Sequence, residues 1–427
     1  MILQSGKNWR SIKRLDVIYK GWGEEFLLGS LAAGSQRGQY LFEFSNEAIH
    51  RGLEISPLYQ PLSSDTYSNF ERHQQGLPGF VFDSLPDGWG RLLSDRLLRR
   101  NNIDPATITP LDRLALLGNG TMGGLTYRPD IELADKKETD YDLSDLSALA
   151  EQVRLEAVGQ DSDALSELVR LGGSPHGARP KALVEYDPLT GYMSTDPFDN
   201  SVPWLVKFPG AHEDISVCAL EEIYARLARM AGISFPESKW FPLSNGLAAF
   251  GVRRFDRLQD MRIPVLSMAG ALQADFQMPS LDYTDILRAT GMITRSQNQR
   301  EIQARRMIFN VILNNRDDHA KNFAFTLAPE GEWQVSQAYD LTFQDGPGGE
   351  HQTAVSGYGR DISLAKLIET AQKADISEQF IRQTSEEISE VADNFARIAR
   401  QHEFSIPPDI IKITKNRIAH NIACLKK

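Results

Sequence analysis

The sequence predicts an α/β (α+β) chain in two lobes, one strand-rich and one helical, with an accessory region at the N-terminus. Three observations lead there. Short runs rich in β-branched and aromatic residues, bounded by turn residues, are concentrated before Arg257. Beyond Pro264 the apolar residues recur mostly at helical spacing. The helical part also carries the string Asn314-Asn315-Arg316-Asp317-Asp318-His319-Ala320-Lys321-Asn322, with Asp340 eighteen residues further on.

Taken in order, Leu15–Tyr19 and Gln39–Phe44 read as strands. A Pro86–Gly88 turn opens a helix running to Arg100, with Leu92, Leu93, Leu97 and Leu98 on one side. The glycine-rich stretch Leu117 to Gly124 could pass for a phosphate loop. A tight turn between core segments is the stronger reading, because no Lys or Ser/Thr follows at phosphate-loop spacing. Asp130 to Glu167 holds twelve acidic and three basic residues and reads as an exposed linker with a solvated helix, marking a boundary. A glycine-containing loop, Gly172 to Pro180, then leads into a strand at Lys181–Tyr186. A second strand, Pro203–Phe208, has Lys207 inside an apolar run. Ser216 to Ala231 reads as a helix with Val217, Leu220, Tyr224, Leu227 and Ala231 on one face and Gly232 as its C-cap. Ala248–Val252 is a further strand, ending in Arg254-Phe255-Asp256-Arg257; helices are expected at Gln299–Leu313 and Ser377–Arg400. The expected organisation is an N-terminal subdomain over 1–130, an acidic linker and helix over 131–170, a strand-rich lobe over 171–258 and a helical lobe over 259–427.

Composition sets bounds. At 427 residues, 41% hydrophobic and 24% charged, the chain suits two or three globular domains. Its net charge of −11 argues against direct nucleic-acid binding over a large surface, which needs phosphates neutralised. The first twenty residues and the last twenty-seven are nevertheless net basic. The two cysteines, Cys218 and Cys424, offer no disulfide framework and no zinc spacing, as expected in a reducing cytoplasm. No signal peptide and no membrane span are expected.

The chemistry lies in the Asp317 string. Phosphoryl transfer from Mg·ATP needs a carboxylate to orient an attacking hydroxyl and take its proton. It also needs oxygen ligands for Mg²⁺, which neutralises the phosphates. Protein kinases place these as Asp-x-x-x-x-Asn followed by a later Asp; Asp317, Asn322 and Asp340 keep that order, and Arg316 precedes Asp317 as in a kinase catalytic loop. The third element reads Tyr339-Asp340-Leu341 rather than Asp-Phe-Gly, so an ordinary protein kinase is excluded. Lys207 is the candidate for the lysine on the α- and β-phosphates. The bland alternative is an edge-strand lysine that snorkels to water. Glu221 and Glu222 fall on the next helix, where a kinase keeps the glutamate that steadies this lysine. The order of loop, Lys strand, Glu helix, strand, Asp-x-x-x-x-Asn and Asp outweighs any single element and is the two-lobed protein-kinase-like plan. Two rival readings attach to the same residues. Asp317, Asp318 and His319 could belong to a metal hydrolase, although such sites draw on more His or Cys. Asp340 could be a turn-forming Asp at a strand end.

Taken together the residues resemble the HipA-type serine/threonine kinase toxins of bacterial type II toxin–antitoxin systems, over nearly the whole chain. The likeness is carried by Leu85-Pro86-Asp87-Gly88-Trp89-Gly90-Arg91, by Leu117-Gly118 with Met122-Gly123, and by Ser174-x-x-Gly177-Ala178-x-x-Lys181. Val206-Lys207-Phe208-Pro209, Val252-x-Arg254-Phe255-Asp256-Arg257, Asp317-x-His319-Ala320-Lys321-Asn322-Phe323 and Tyr339-Asp340-Leu341 complete it. The resemblance implies Asp317 as catalytic base, Asn322 and Asp340 on Mg²⁺, and Lys207, steadied by Glu221, on the phosphates of ATP. It implies a phosphate loop with Ser174, Gly177, Ala178 and Lys181, with Ser174 as an inhibitory autophosphorylation site. Phe255 and His319 join the nucleotide-binding set, His319 as a structural residue bonding the loop backbone. Arg253 stands where the family has a Glu at the hinge, which leaves the adenine contacts open. A protein substrate is implied, an aminoacyl-tRNA synthetase in the best-known members. A helix-turn-helix antitoxin is implied likewise, with DNA reached only through it. Two alternatives are a small-molecule phosphotransferase of the aminoglycoside type and a non-catalytic corepressor.

Overall fold

The computed structural model describes residues 2–3, 9–133, 146–160, 165–172, 175–243, 246–401 and 403–426. The chain divides into two compact units. The first comprises Met1–Ile215 and Phe241–Val265, and the second Ser216–Trp240 and Leu266–Lys427. The helix Ser216–Met230 therefore groups with the helical second unit, although in sequence it falls among the strands.

Two sheets organise the first unit. One is a four-stranded antiparallel sheet in the order Tyr40–Phe44, Phe26–Ala33, Arg14–Tyr19, Leu125–Arg128. Leu15 and Val17 alternate into its core, and beyond a shift of register after Val17 both Ile18 and Tyr19 are buried. The other sheet runs Ala248–Arg253, Val202–Lys207, Lys181–Tyr186, Met193–Ser194, with Ser238–Pro242 at the edge beyond Ala248–Arg253. Lys207 thus lies on an interior strand and is only 6% exposed, which removes the snorkelling edge-strand reading.

The helix after the Pro86–Gly88 turn is Gly88–Arg100. Leu93, Leu97 and Leu98 are buried as expected, but Leu92 faces solvent, because the buried stripe is centred one position further on. The acidic stretch departs from expectation as well. Its helices, Leu146–Ala157 and Leu165–Gly172, are not solvated rods. Leu149, Val153, Leu165, Leu168 and Leu171 join Trp89, Leu93, Ala182, Val184, Trp204 and Val206 in one core. The charges sit on the outer faces, as with Glu151 paired to Arg154; Glu156 is buried but paired with Arg96. An apolar stripe was present and the acidic count hid it. The expected exposed linker includes 134–145, which lies outside the described residues.

The second unit is built on helices. Ser216–Met230 is buried nearly all round, and Gly232, at φ +70°, takes the left-handed conformation that a glycine C-cap allows. Tyr224 donates its hydroxyl to the Leu313 carbonyl (2.5 Å) and packs edge-on against Phe309 and Phe395. Gln297–Ile312 starts at an N-cap, Ser296, whose side chain accepts from Gln299 N–H. The expected Ser377–Arg400 helix is two helices, Glu378–Ala392 and Phe395–Ala399, broken at Asp393-Asn394. Between the two charged motifs, Ala324–Leu327 and Trp333–Val335 form an antiparallel hairpin that returns the chain towards its starting point. No helix among the described residues is long and apolar enough to cross a membrane.

Candidate active site

In the second unit the helix Gln297–Ile312 ends at Leu313, and Asn314 turns the chain with φ +57°. The residues beyond this turn are held by a network rooted on a buried carboxylate. Asp318 accepts from the Tyr283 hydroxyl (2.8 Å) and from the backbone N–H groups of Gln352 (2.9 Å) and Thr353 (3.3 Å). His351 Nδ1 lies 2.8 Å from the same carboxylate. Tyr283 in turn accepts from Asn310 Nδ2 (2.9 Å), and Asn310 Oδ1 accepts from Asn315 Nδ2 (3.0 Å). Burial next to Asp318 pushes the Tyr283 phenol well above its usual range. With its oxygens so engaged and its side chain fully buried, Asp318 is a structural anchor, and the metal-hydrolase reading of the string loses a ligand.

Asp317, the next residue back, is treated differently. Its side chain is 43% exposed, and Oδ1 accepts from Gln352 Nε2 at 2.7 Å. The Asn322 amide donates to the Asp317 carbonyl at 2.6 Å. That spends the amide nitrogen and leaves Asn322 Oδ1 as the atom able to ligate a hard cation. His319 Nδ1 accepts from Lys321 N–H at 3.2 Å, the backbone role expected of it. Tyr339 donates its hydroxyl to the Lys321 carbonyl at 2.6 Å, tying the Asp340 segment to the Asp317 string. Asp340 itself adopts φ +52°, a conformation uncommon for non-glycine residues but tolerated by Asp. Asp317, Asn322 and Asp340 are thus joined by two hydrogen bonds through intervening residues.

In the first unit, Lys207 and Lys181 are register partners on adjacent antiparallel strands, and both are buried. Lys207 Nζ lies 5.8 Å from the centre of the Phe250 ring, and Lys181 Nζ donates to the His176 carbonyl. Gly177 has φ +101°. Its N–H donates to Asp87 Oδ1 (2.5 Å) and its carbonyl accepts from Trp89 N–H (3.1 Å). Trp89 Nε1 donates to the Lys181 carbonyl (3.1 Å). The Asp87-Gly88-Trp89 turn therefore fastens the glycine-containing loop, and in this conformation the Gly177 N–H is already satisfied. Ala178 is exposed, Phe255 half-buried, and Ser174 lies outside the described residues. Glu221, in the second unit, is 3% exposed; its neighbour Glu222 is taken up by Arg226 (2.8 Å) and the Ser238 hydroxyl (2.6 Å).

The Arg254–Arg257 segment has a role the sequence did not disclose. Asp256 is buried between Arg254 (2.8 Å) and Arg257 (2.7 Å) and accepts from Gly123 N–H at 2.8 Å. Arg257 and Arg262 both donate to the Thr121 carbonyl at 3.0 Å. These contacts hold Leu117–Gly124 as a tight turn after the helix Pro110–Leu117, in line with the reading that set the phosphate loop aside. Gln352, His351 and Tyr283 were also missed, because nothing local marks residues that act across 30 or more positions.

The architecture is a two-lobed, kinase-like α/β fold. Residues 173–397 match the HipA-like C-terminal domain and residues 18–128 the HipA N-terminal domain. The chain belongs to the HipA family. It is 26% identical over 380 residues to Y4dM of Sinorhizobium fredii, a kinase by name, across 83% of this chain and 85% of that one. Its fold is similar to a solved structure described as the Shewanella oneidensis MR-1 toxin–antitoxin system HipA, HipB and operator DNA complex. That match has a TM-score of 0.69 at 16% identity and covers 96% of both chains.

Proposed function

We propose that this chain is an ATP- and Mg²⁺-dependent serine/threonine protein kinase that serves as the toxin of a type II toxin–antitoxin pair. The observation that carries the reading is the paired state of Asp317 and Asn322. Asp317 is 43% exposed with Oδ1 held by Gln352, placed to meet an incoming hydroxyl, while Asn322 is fixed with its oxygen as the remaining ligand atom. Asp317 takes the proton of the attacking hydroxyl. Asn322 and Asp340 hold Mg²⁺, which when bound neutralises charge on the phosphates. Lys207, steadied by Glu221, contacts the nucleotide phosphates, and the Gly177–Lys181 loop covers them. Phe255 belongs to the nucleotide-binding set. Ser174 is the autophosphorylation site that switches the enzyme off. The family matches over 18–128 and 173–397 support an N-terminal subdomain over 1–130 joined through 131–170 to the ATP-binding and helical parts.

The protein substrate is a component of translation, such as an aminoacyl-tRNA synthetase. The partner is a helix-turn-helix antitoxin that makes the DNA contact. The relative solved with HipB and operator DNA supports that assignment. Transfer of label from γ-labelled ATP to lysate proteins, set against transfer to small alcohols, tests the substrate class. Label on small alcohols alone overturns the protein-kinase reading. Phosphate at Ser174 in the wild type and not in Asp317→Asn supports self-inhibition; none after prolonged incubation with Mg·ATP overturns it.

A further inference from the structure

The helix Pro408–Leu425 carries His420 and Cys424 one turn apart, so both project from one face. Asp361, in the turn before the helix Leu364–Gln372 and at φ +53°, comes to the same place. Its Oδ1 lies 2.7 Å from His420 Nε2 and 3.9 Å from Cys424 Sγ, and Sγ is 3.6 Å from the same Nε2. Cys424 is in no disulfide. Among the described residues this is the one group of three metal-capable side chains whose ligand atoms all lie within 4.8 Å of one another.

Two uses of such a trio are distinguishable by geometry. A nucleophilic triad needs the imidazole to use both nitrogens, one towards the thiol and one towards the carboxylate. Here both contacts fall on Nε2, so the three atoms converge on a point instead of forming a relay. Convergence is what a cation requires. With metal–ligand bonds of about 2.0–2.3 Å, the edges of a tetrahedral site are roughly 3.3–3.6 Å. The two edges to Sγ are close to that already, and only the Asp361–His420 edge must open. Those two side chains are 61% and 50% exposed and have room to rotate, whereas Cys424 is buried and anchors the site.

We propose that Asp361, His420 and Cys424 bind a thiophilic divalent cation, Zn²⁺ in particular, with a water completing the tetrahedron. Thiolate, imidazole and carboxylate are the donor set that borderline-soft ions prefer. Two anionic ligands, the thiolate and the carboxylate, neutralise the charge of a divalent ion. Binding releases the thiol proton to solvent and needs His420 neutral. The cation cross-links two segments 59 residues apart. The neighbouring Asn421 donates to Asn314 Oδ1 (3.2 Å), so the link is made beside the root of the Asp317 string.

The test uses the full chain, stripped with chelator under reductant and titrated with Co²⁺ and then Zn²⁺. The site predicts one Co²⁺ per chain, a strong near-ultraviolet thiolate-to-cobalt charge-transfer band, and displacement by one equivalent of Zn²⁺. The band disappears in Cys424→Ser and persists in Cys218→Ser. Affinity falls by at least roughly tenfold in His420→Gln and Asp361→Asn, both exposed positions at which the chain keeps its fold. Zn²⁺ raises the thermal midpoint of the wild type and not of His420→Gln. No charge-transfer band at millimolar Co²⁺, a band that follows Cys218, or affinity indifferent to both exposed substitutions overturns the proposal.

Discussion

Gln352→Ala isolates one contact of the proposed site. It removes the Nε2 donor 2.7 Å from Asp317 Oδ1 and leaves the Gln352 backbone N–H on Asp318. Hydrogen bonds to a charged group are worth about 1.5–3 kcal/mol. Asp317 is 43% exposed, so water replaces part of the lost donor and the lower end applies. At about 1.4 kcal/mol per tenfold, kcat should fall by roughly one order of magnitude. The KM for ATP should hold within about twofold and the thermal midpoint should not move, because the buried Asp318 network is untouched. Gln352→Glu sharpens the test by setting a second carboxylate against Asp317. Like charges at that range favour the protonated form of one member. Asp317 must be ionised to take the hydroxyl proton, so a raised pKa keeps it inactive over more of the acid range. The acid limb of kcat should therefore move to higher pH. Initial rates of label transfer from γ-labelled ATP to lysate protein, measured across pH, provide the readout. Wild-type kcat in Gln352→Ala, together with an unmoved acid limb in Gln352→Glu, would refute the assigned geometry.

Gly88→Ala should destabilise by roughly 1–3 kcal/mol. Gly88 has φ +37°, and an added Cβ would lie 2.5 Å from the Gly177 carbonyl oxygen. Thermal unfolding checks it, and an unchanged midpoint would mean the loop is not fastened there. Asp256→Asn should cost about 3–5 kcal/mol at neutral pH by leaving two buried arginines uncompensated. Burial works to raise the Asp256 pKa, but Arg254 and Arg257 outweigh it and hold the carboxyl below its usual range. A folded pKa below the unfolded one gives stability that is present above about pH 4 and lost as pH falls further. The substitution should therefore flatten the acid limb of the stability curve, and denaturant titrations at several pH values decide it. Lys207→Ala should weaken Mg·ATP binding and Asp340→Ala should abolish its Mg²⁺ dependence; calorimetry that finds both unchanged would place the nucleotide elsewhere.

Legibility in the sequence tracks contact range. The strands Lys181–Tyr186 and Val202–Lys207, the helix Ser216–Met230 with its glycine cap, and the Asp317–Asn322 step are local patterns with a period or a fixed spacing. The contacts that tune the site are not local. Asp87 reaches Gly177 across 90 positions, His351 reaches Asp318 across 33 and Gln352 reaches Asp317 across 35. Composition misled where it was averaged. Twelve acidic residues between Asp130 and Glu167 obscured the stripe of Leu149, Val153, Leu165, Leu168 and Leu171 that packs into a core. The His420–Cys424 step is visible on the helix, but its third member, Asp361, lies 59 positions away.

Phosphate transfer by purified Asp317→Asn, measured beside the wild type with Mg·ATP binding followed in the same preparations, tests the central claim most directly. A positioned base contributes on the order of 10²–10⁴ in rate. Asp317→Asn should lose transfer by a factor of that size, with nucleotide affinity and thermal midpoint close to wild type. Transfer at the wild-type rate by the correctly folded variant would contradict it.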